Sequence, residues 1–470
     1  MTTDIADLDL SNAGRRVEGH GLHAWIEEAR ETAKLAGPLI FTQVAQMAIM
    51  TTDVIMLGRV GETALASSAL GITVFFFCWL IGAGPVAAVA PMVAHILGGN
   101  PNDRAGVRAV VRMGFWAVTM VSLPLVVFLL FTEPVMRLLG QRPELAHGAG
   151  VFTAALCIGL PFSLFYQVLR NFSTALGKPN AALVVMVIGI GFNFAGDYIL
   201  IFGHYGAPKL GLVGAAIASA ASYIFQFAAL LAVVFLTPKL KRYRIFRRFF
   251  RPDWEKLAEV FRLGMPIGLT MMFEAMLFNS ATLMMGTFGT ATVAAHQISM
   301  NVPSNTFMVP LGIAMAATIR VGLAAGAGDR EAVRRAGYTA LGMAVVFMAT
   351  TSVILALFPR QIAELYFSSG TREAQDAIAL ATTFLQVAAA FQIFDGLQVV
   401  AALSLRGLKD ARAPMWIAGG SYWIAGFPTC VLLGFTFHLQ GFGIWIGLAF
   451  ALLVAAVTMV WRFWWLSRDR

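Results

Sequence analysis

Four carboxylates, Asp53, Asp197, Glu274 and Asp395, lie in long apolar stretches that hold no other charged residue. Each stretch is long enough to cross a bilayer. An ionised Asp at the centre of a membrane helix costs about 2.5–3.5 kcal/mol on insertion scales, so four cost roughly 10 kcal/mol. That rivals the net stability of an ordinary domain, about 5–15 kcal/mol. Packing gives no reason to keep such groups, and acids without Lys or Arg partners imply a site for cations or protons. Asn193 precedes Asp197 by four residues, so it shares that helix face and adds a neutral amide oxygen. Carboxylates with an amide oxygen suit a hard cation such as Na⁺ and suit a proton relay equally. Asp53, Asn193, Asp197, Glu274 and Asp395 are therefore the candidate Na⁺ ligands. Cys78, Cys157 and Cys430 fall singly in three different spans, with no metal-ligand spacing. His95, His296 and His438 sit near span ends and form no metal site.

The elements that position these acids follow from composition. The chain has 470 residues, 58% hydrophobic and only 13% charged, with a mean hydropathy of +0.74. Soluble domains carry about 25% charged residues, so this is a membrane protein. A hydrocarbon core of roughly 30 Å needs about 20 apolar residues per helix. Twelve such runs are centred near residues 46, 81, 122, 160, 192, 224, 275, 306, 347, 391, 425 and 451. They are continuous rather than alternating with period two, which excludes a β-barrel. The expected fold is an all-α polytopic membrane protein of twelve transmembrane helices.

A weak repeat runs through the chain at an offset of about 228 residues. KLAGP at 34–38 corresponds to RLGMP at 262–266, and LGRVGETALA at 57–66 to MGTFGTATVA at 285–294. DRAGVR at 103–108 resembles DREAVR at 329–334, and Gly211 matches Gly441. Six spans per repeat is an even number, so the two six-helix lobes enter the membrane from the same side as parallel repeats. The expected organisation is a cytoplasmic tail over 1–34, an N-lobe over 35–237, a basic cytoplasmic connector over 238–262, a C-lobe over 263–465 and a tail over 466–470. Two lobes that rock about a central site are an architecture for transport.

With both termini in the cytoplasm, 28 of the 34 Lys and Arg fall on inner segments, as the positive-inside rule requires. The net charge of +9 is thereby a topology signal and gives no reason to expect nucleic acid. The run Lys239, Lys241, Arg242, Arg244, Arg247, Arg248 and Arg251 is also placed to touch anionic membrane lipids. The first 25 residues are polar and lack a signal-peptide pattern, so the first span is expected to act as an uncleaved anchor.

Helix rise sets the depths. Asp53 lies about 27 Å and Asp197 about 24 Å from the cytoplasmic face, both toward the outer side. Glu274 and Asp395 each lie about 16 Å in, near the midplane. Pro38, Pro85, Pro91, Pro303 and Pro310 interrupt their spans, and glycine pairs such as Gly82–Gly84 and Gly189–Gly191 allow close helix approach. The 37 Phe and 22 Met include enough aromatic and flexible surface to line a site for flat organic cations.

Taken together, Asp53 in VIMLG context, FEA at 273–275, VAAHQ at 293–297, FDGLQVV at 394–400 and LRGLKD at 405–410 resemble the multidrug and toxic compound extrusion (MATE) transporters, in their bacterial NorM-type branch. The resemblance runs from about residue 34 to 465. It implies a secondary antiporter of the inner membrane that exports cationic, amphipathic small molecules in exchange for Na⁺ or H⁺, with no cofactor beyond the coupling ion. It implies a coupling role for Asp53, a first-lobe cation site at Asn193 and Asp197, cation or substrate binding at Glu274 and Asp395, and a helix bend at Pro38. A monomer is expected. A flippase for a lipid-linked oligosaccharide on a related architecture is the alternative, and it would favour basic residues in the cavity. An enzyme is not expected: no GxxxxGK[ST] run and no intramembrane nucleophile–base pair is present.

Overall fold

The computed structural model describes residues 21–366 and 372–468. The parts of the two expected tails at 1–20 and 469–470 lie outside these. Among the described residues every regular element is helical. Eleven helices are long and apolar enough to span a membrane, and a bent pair, broken by 47°, completes twelve when taken as one span. In the first repeat the spans are α1 (Leu22–Gly58), α2 with α3 (Glu62–Ala87, Val89–Gly99), α4 (Arg104–Leu130), the bent pair α6 and α7 (Pro143–Leu156, Gly159–Ala175), α8 (Pro179–Phe202) and α9 (Leu212–Leu236). The short α5 (Thr132–Leu138) and α10 (Pro238–Lys241) lie between them. In the second they are α11 (Trp254–Gly286), α12 (Thr290–Gly326), α13 (Arg330–Leu357), α15 (Arg372–Gly407), a composite span and α18 (Gln440–Arg468), with a short α14 (Pro359–Glu364). The composite span joins α16 (Arg412–Gly419) and α17 (Phe427–Val431) with π-helical turns at Gly420–Gly426 and Leu432–Thr436.

The repeat seen in the sequence reappears as repeated local chemistry. Asp103 Oδ1 accepts from Gly106 N at 2.8 Å to start α4. Asp329 Oδ1 accepts from Ala332 N at 2.9 Å to start α13. Such caps satisfy an orphan donor and contribute about 1 kcal/mol each. Gly61 and Gly289 precede α2 and α12 with φ of 146° and 109°, a conformation that only glycine adopts readily. Pro38 inside α1 is matched by Pro266 inside α11.

The compact units differ from the linear halves. Among the described residues, unit 1 contains 41–268 and unit 2 contains 21–40 with 269–468. The boundaries therefore fall inside α1 and α11, just past Pro38 and Pro266. The first part of each repeat's first helix packs with the other repeat's remaining helices. Glycine makes this possible. In unit 1, a Cβ on Gly84 of α2 would lie 2.6 Å from Gly264 O and 2.9 Å from Gly268 Cα, both backbone atoms of α11. In unit 2, a Cβ on Gly312 of α12, 228 residues on, would lie 2.9 Å from Ile40 N of α1. Gly82 meets the Leu164 side chain, whereas Gly191 has open space around it, so close approach holds for the Gly82–Gly84 pair and fails at Gly191. Helicity also begins at Leu22, well before the expected lobe boundary at 35.

Unit 2's extra segment is pinned by charge as well as by close packing. Glu28, 2% exposed, accepts from Arg320 Nε and Nη2 at 2.7 Å each. Arg335 Nε lies 3.9 Å from the same carboxylate. Each unit has its own apolar core, around Val110, Leu160, Leu164 and Phe172 in unit 1 and around Trp445, Phe384, Phe391 and Leu448 in unit 2. Large apolar side chains such as Phe41, Leu123, Val346, Ile424 and Trp461 are exposed, as the outer surface of a membrane protein requires.

Candidate functional site

Three helices of unit 1 bring Asp53, Asn193 and Asp197 together. Asn193 and Asp197 are four residues apart on α8 and fully buried, at 1% and 0% exposure. Ser219 and Tyr223, likewise four apart, come from α9. Ser219 Oγ donates to Asp53 Oδ2 at 3.2 Å. The Asp197 and Asn193 side chains lie near Asp53 without a hydrogen bond to it, and Tyr223 feels the Asp53 charge. Thr51 and Thr52 turn their hydroxyls back to Met47 O and Ala48 O, 3.0 and 2.9 Å away, and so do not solvate the acid. Asp53 Oδ1, both Asp197 oxygens and both polar atoms of the Asn193 amide have no fully formed hydrogen bond. Asp197 is fully buried and Asp53 half-buried, and two carboxylates cannot bond to each other without a proton or cation between them, so leaving the pair unneutralised is costly. The donor set fits the hard monovalent cation or proton expected there.

Unit 2 holds the second pair. Glu274 of α11 and Asp395 of α15 act on one another electrostatically. Gln398 lies near Glu274, and Arg406 also acts on that acid. Tyr422 is fully buried and feels both acids. Asp395 Oδ1 and Tyr422 Oη have no partner. Three residues before Asp395, Gln392 accepts from Thr306 Oγ1 at 3.1 Å. The cluster thus offers two carboxylates, amides and an aromatic hydroxyl, with one guanidinium in range. Among the described residues no group of three or more His, Cys, Asp or Glu could hold a metal ion. Each site must therefore complete any cation shell with amide or hydroxyl oxygens.

The five expected ligands therefore sort into two groups, Asp53, Asn193 and Asp197 in unit 1 and Glu274 with Asp395 in unit 2. Among the described residues no Lys or Arg forms an ion pair with these four acids, and Arg406 acts on Glu274 only electrostatically. α15 continues to Gly407 and places Arg406 in its last turn. It lies eleven residues beyond Asp395, about three turns along the same face. Ser219, Tyr223, Gln398 and Tyr422 were not anticipated. The three-residue spacing of Gln392, Asp395 and Gln398 marks a polar stripe on α15 that could have found Gln398. Tyr422 owes its place to the π-helical turn, in which Phe427 N reaches back to Tyr422 O. Pro428, which lacks an N–H, follows directly, and periodicity of 3.6 residues gives no hint of the wider turn.

The comparisons with known proteins agree with this architecture. The family model MatE matches residues 38–199 and 266–432, one segment in each repeat. A probable multidrug resistance protein NorM of Mesorhizobium japonicum is 41% identical over 447 residues, covering 95% of each chain. The multidrug resistance protein NorM of Burkholderia vietnamiensis is 38% identical over 436 residues, 93% of each. Among solved structures, a Vibrio cholerae MATE transporter, VcmN, superposes with a TM-score of 0.85 at 16% identity, covering 96% of this chain and 99% of that one. A eukaryotic MATE transporter, AtDTX14, gives 0.83 at 22% identity, covering 93% and 96%. These two likenesses bear on the fold alone. The chain belongs to the MatE family: it is a membrane transporter of the multidrug-efflux MATE class, NorM type, and not an enzyme.

Proposed function

We propose that the chain is a secondary active antiporter that exports organic cations in exchange for Na⁺ or H⁺. The observation that carries this reading is the Asp53–Asn193–Asp197 cluster, whose buried oxygens lack donors other than Ser219. A cation or proton arriving from outside neutralises that pair. Coupling requires that the ion favour one conformation over the other, since a ligand shifts an equilibrium only by its differential affinity. Pro38 is the natural hinge, because the part of α1 that carries Asp53 joins unit 1 three residues later. Glu274 and Asp395, with Tyr422 beside them, bind the organic cation, the ion, or each in turn. The multidrug resistance names of the relatives support the substrate class. The two repeats alternate access in a single chain, acting as a monomer in the bacterial inner membrane. The Lys and Arg bias supports cytoplasmic termini.

Purified protein in liposomes, loaded with a fluorescent lipophilic cation, tests this. An imposed Na⁺ gradient or pH gradient should drive cation movement against its own gradient. If neither gradient moves any cation, the antiport assignment is wrong.

A further inference from the structure

Unit 1 carries a second charged cluster, at the end where α4 begins and α9 leaves. Arg108 and Arg112 come from α4, and Arg244, Arg247 and Arg248 from the segment after α10. Arg247, Arg112, Arg248 and Arg244 all act electrostatically on Arg108. Among the described residues none of the five pairs with a carboxylate. The positive-inside rule accounts for basic residues on this segment. It does not account for their convergence, because the rule is indifferent to where the side chains point.

The convergence is built into the chain. Arg112 Nη1 donates to Arg248 O at 3.0 Å, and Trp116 Nε1 to Phe249 O at 3.1 Å. Phe246 and Phe249 pack on Phe115 of α4 with ring centroids 5.6 and 6.3 Å apart. Arg244 and Arg248 adopt left-handed backbone, φ 47° and 58°, which side chains rarely tolerate. The segment is thus held against α4 in a form that crowds like charges, and like charges repel unless an anion joins them. Guanidinium forks match phosphate oxygens. Beside them Phe235, Leu236 and Phe250 are exposed, Phe250 to 86%, giving an apolar flank that free phosphate cannot use.

We propose that Arg108, Arg112, Arg244, Arg247 and Arg248 form a headgroup site for an anionic phospholipid, gripped at its phosphate, with the acyl chains along the neighbouring apolar side chains. This site is independent of the antiport reading. The test is native mass spectrometry of the full chain with equimolar phosphatidylglycerol and phosphatidylcholine in detergent. Wild type should retain phosphatidylglycerol preferentially. R244Q/R247Q, at two exposed positions, should weaken that retention about 25-fold, at about fivefold per arginine removed. Its melting point in neutral lipid should match wild type, and R244K/R247K should keep most of the preference. Equal retention of both lipids by wild type, unchanged retention by the glutamine pair, or full displacement of phosphatidylglycerol by millimolar inorganic phosphate would each overturn the proposal.

Discussion

Glu28→Gln is the substitution whose cost can be worked out most fully. Glu28 receives two charge-assisted bonds from Arg320, both 2.7 Å long, on side chains that are 2% and 5% exposed. Bonds to charged groups contribute about 1.5–3 kcal/mol each. Breaking a buried pair by removing one partner costs about 3–5 kcal/mol. Both routes converge near 4 kcal/mol, roughly a thousandfold in the folded-to-unfolded ratio. The segment affected is 21–40, the part of α1 that packs in unit 2. Removing Arg320 is the gentler change. Arg335, 3.9 Å from the same carboxylate, needs only a small shift to replace it. Thermal unfolding of the purified protein, followed by size-exclusion chromatography, should therefore rank wild type above Arg320→Gln, and Arg320→Gln above Glu28→Gln. A Glu28→Gln protein that melts with wild type would show that the ion pair does not hold this segment, and the reasoning would fail.

Four further substitutions test other parts of the structure. Gly84→Ala should destabilise by about 3 kcal/mol, because its Cβ meets α11 backbone that cannot yield. Gly191→Ala, in open space on α8, should be neutral or stabilise by up to about 1 kcal/mol, and denaturation of the two variants side by side reads the contrast. Tyr422→Phe removes a hydroxyl that has no partner, so the melting point should stay within the equivalent of about 1 kcal/mol. The transport KM for an organic cation should nevertheless rise several-fold. An unchanged KM would remove Tyr422 from the binding site. Asp197→Asn preserves shape and should insert and fold normally, yet lose the Na⁺ or pH dependence of cation export. Retained dependence in flux assays would exclude Asp197 from coupling.

Much of this was legible from sequence because membrane physics leaves few choices. An apolar run of about 20 residues must be a helix when no water can satisfy its backbone. A lone acid in such a run must be met by something. The spacing of Asn193 and Asp197 sufficed to place them on one face, and the repeat at DRAGVR and DREAVR returns in the structure as matching caps at Asp103 and Asp329. The exchange of the first parts of α1 and α11 was hidden, because it rests on backbone contacts at Gly84 and Gly312 that any close helix pair could use. Arg406 closes the apolar run of α15, and only the fold shows that its charge is felt at Glu274. Tyr422 depends on a π-helical turn that no apolar period announces. Ser219 is one small residue among many on α9, and only the approach of Asp53 gives it a role.

The most direct measurement asks whether coupling ion and organic cation compete through the Asp53–Asp197 pair. Binding of a lipophilic cation to purified wild type, followed by calorimetry in two buffers of different ionisation enthalpy with and without Na⁺, should reveal proton release or weakening by Na⁺. An Asp53→Asn/Asp197→Asn protein should bind with both effects sharply reduced. Cation binding by wild type that is indifferent to both pH and Na⁺, or an ion effect that the double substitution leaves undiminished, would contradict the account.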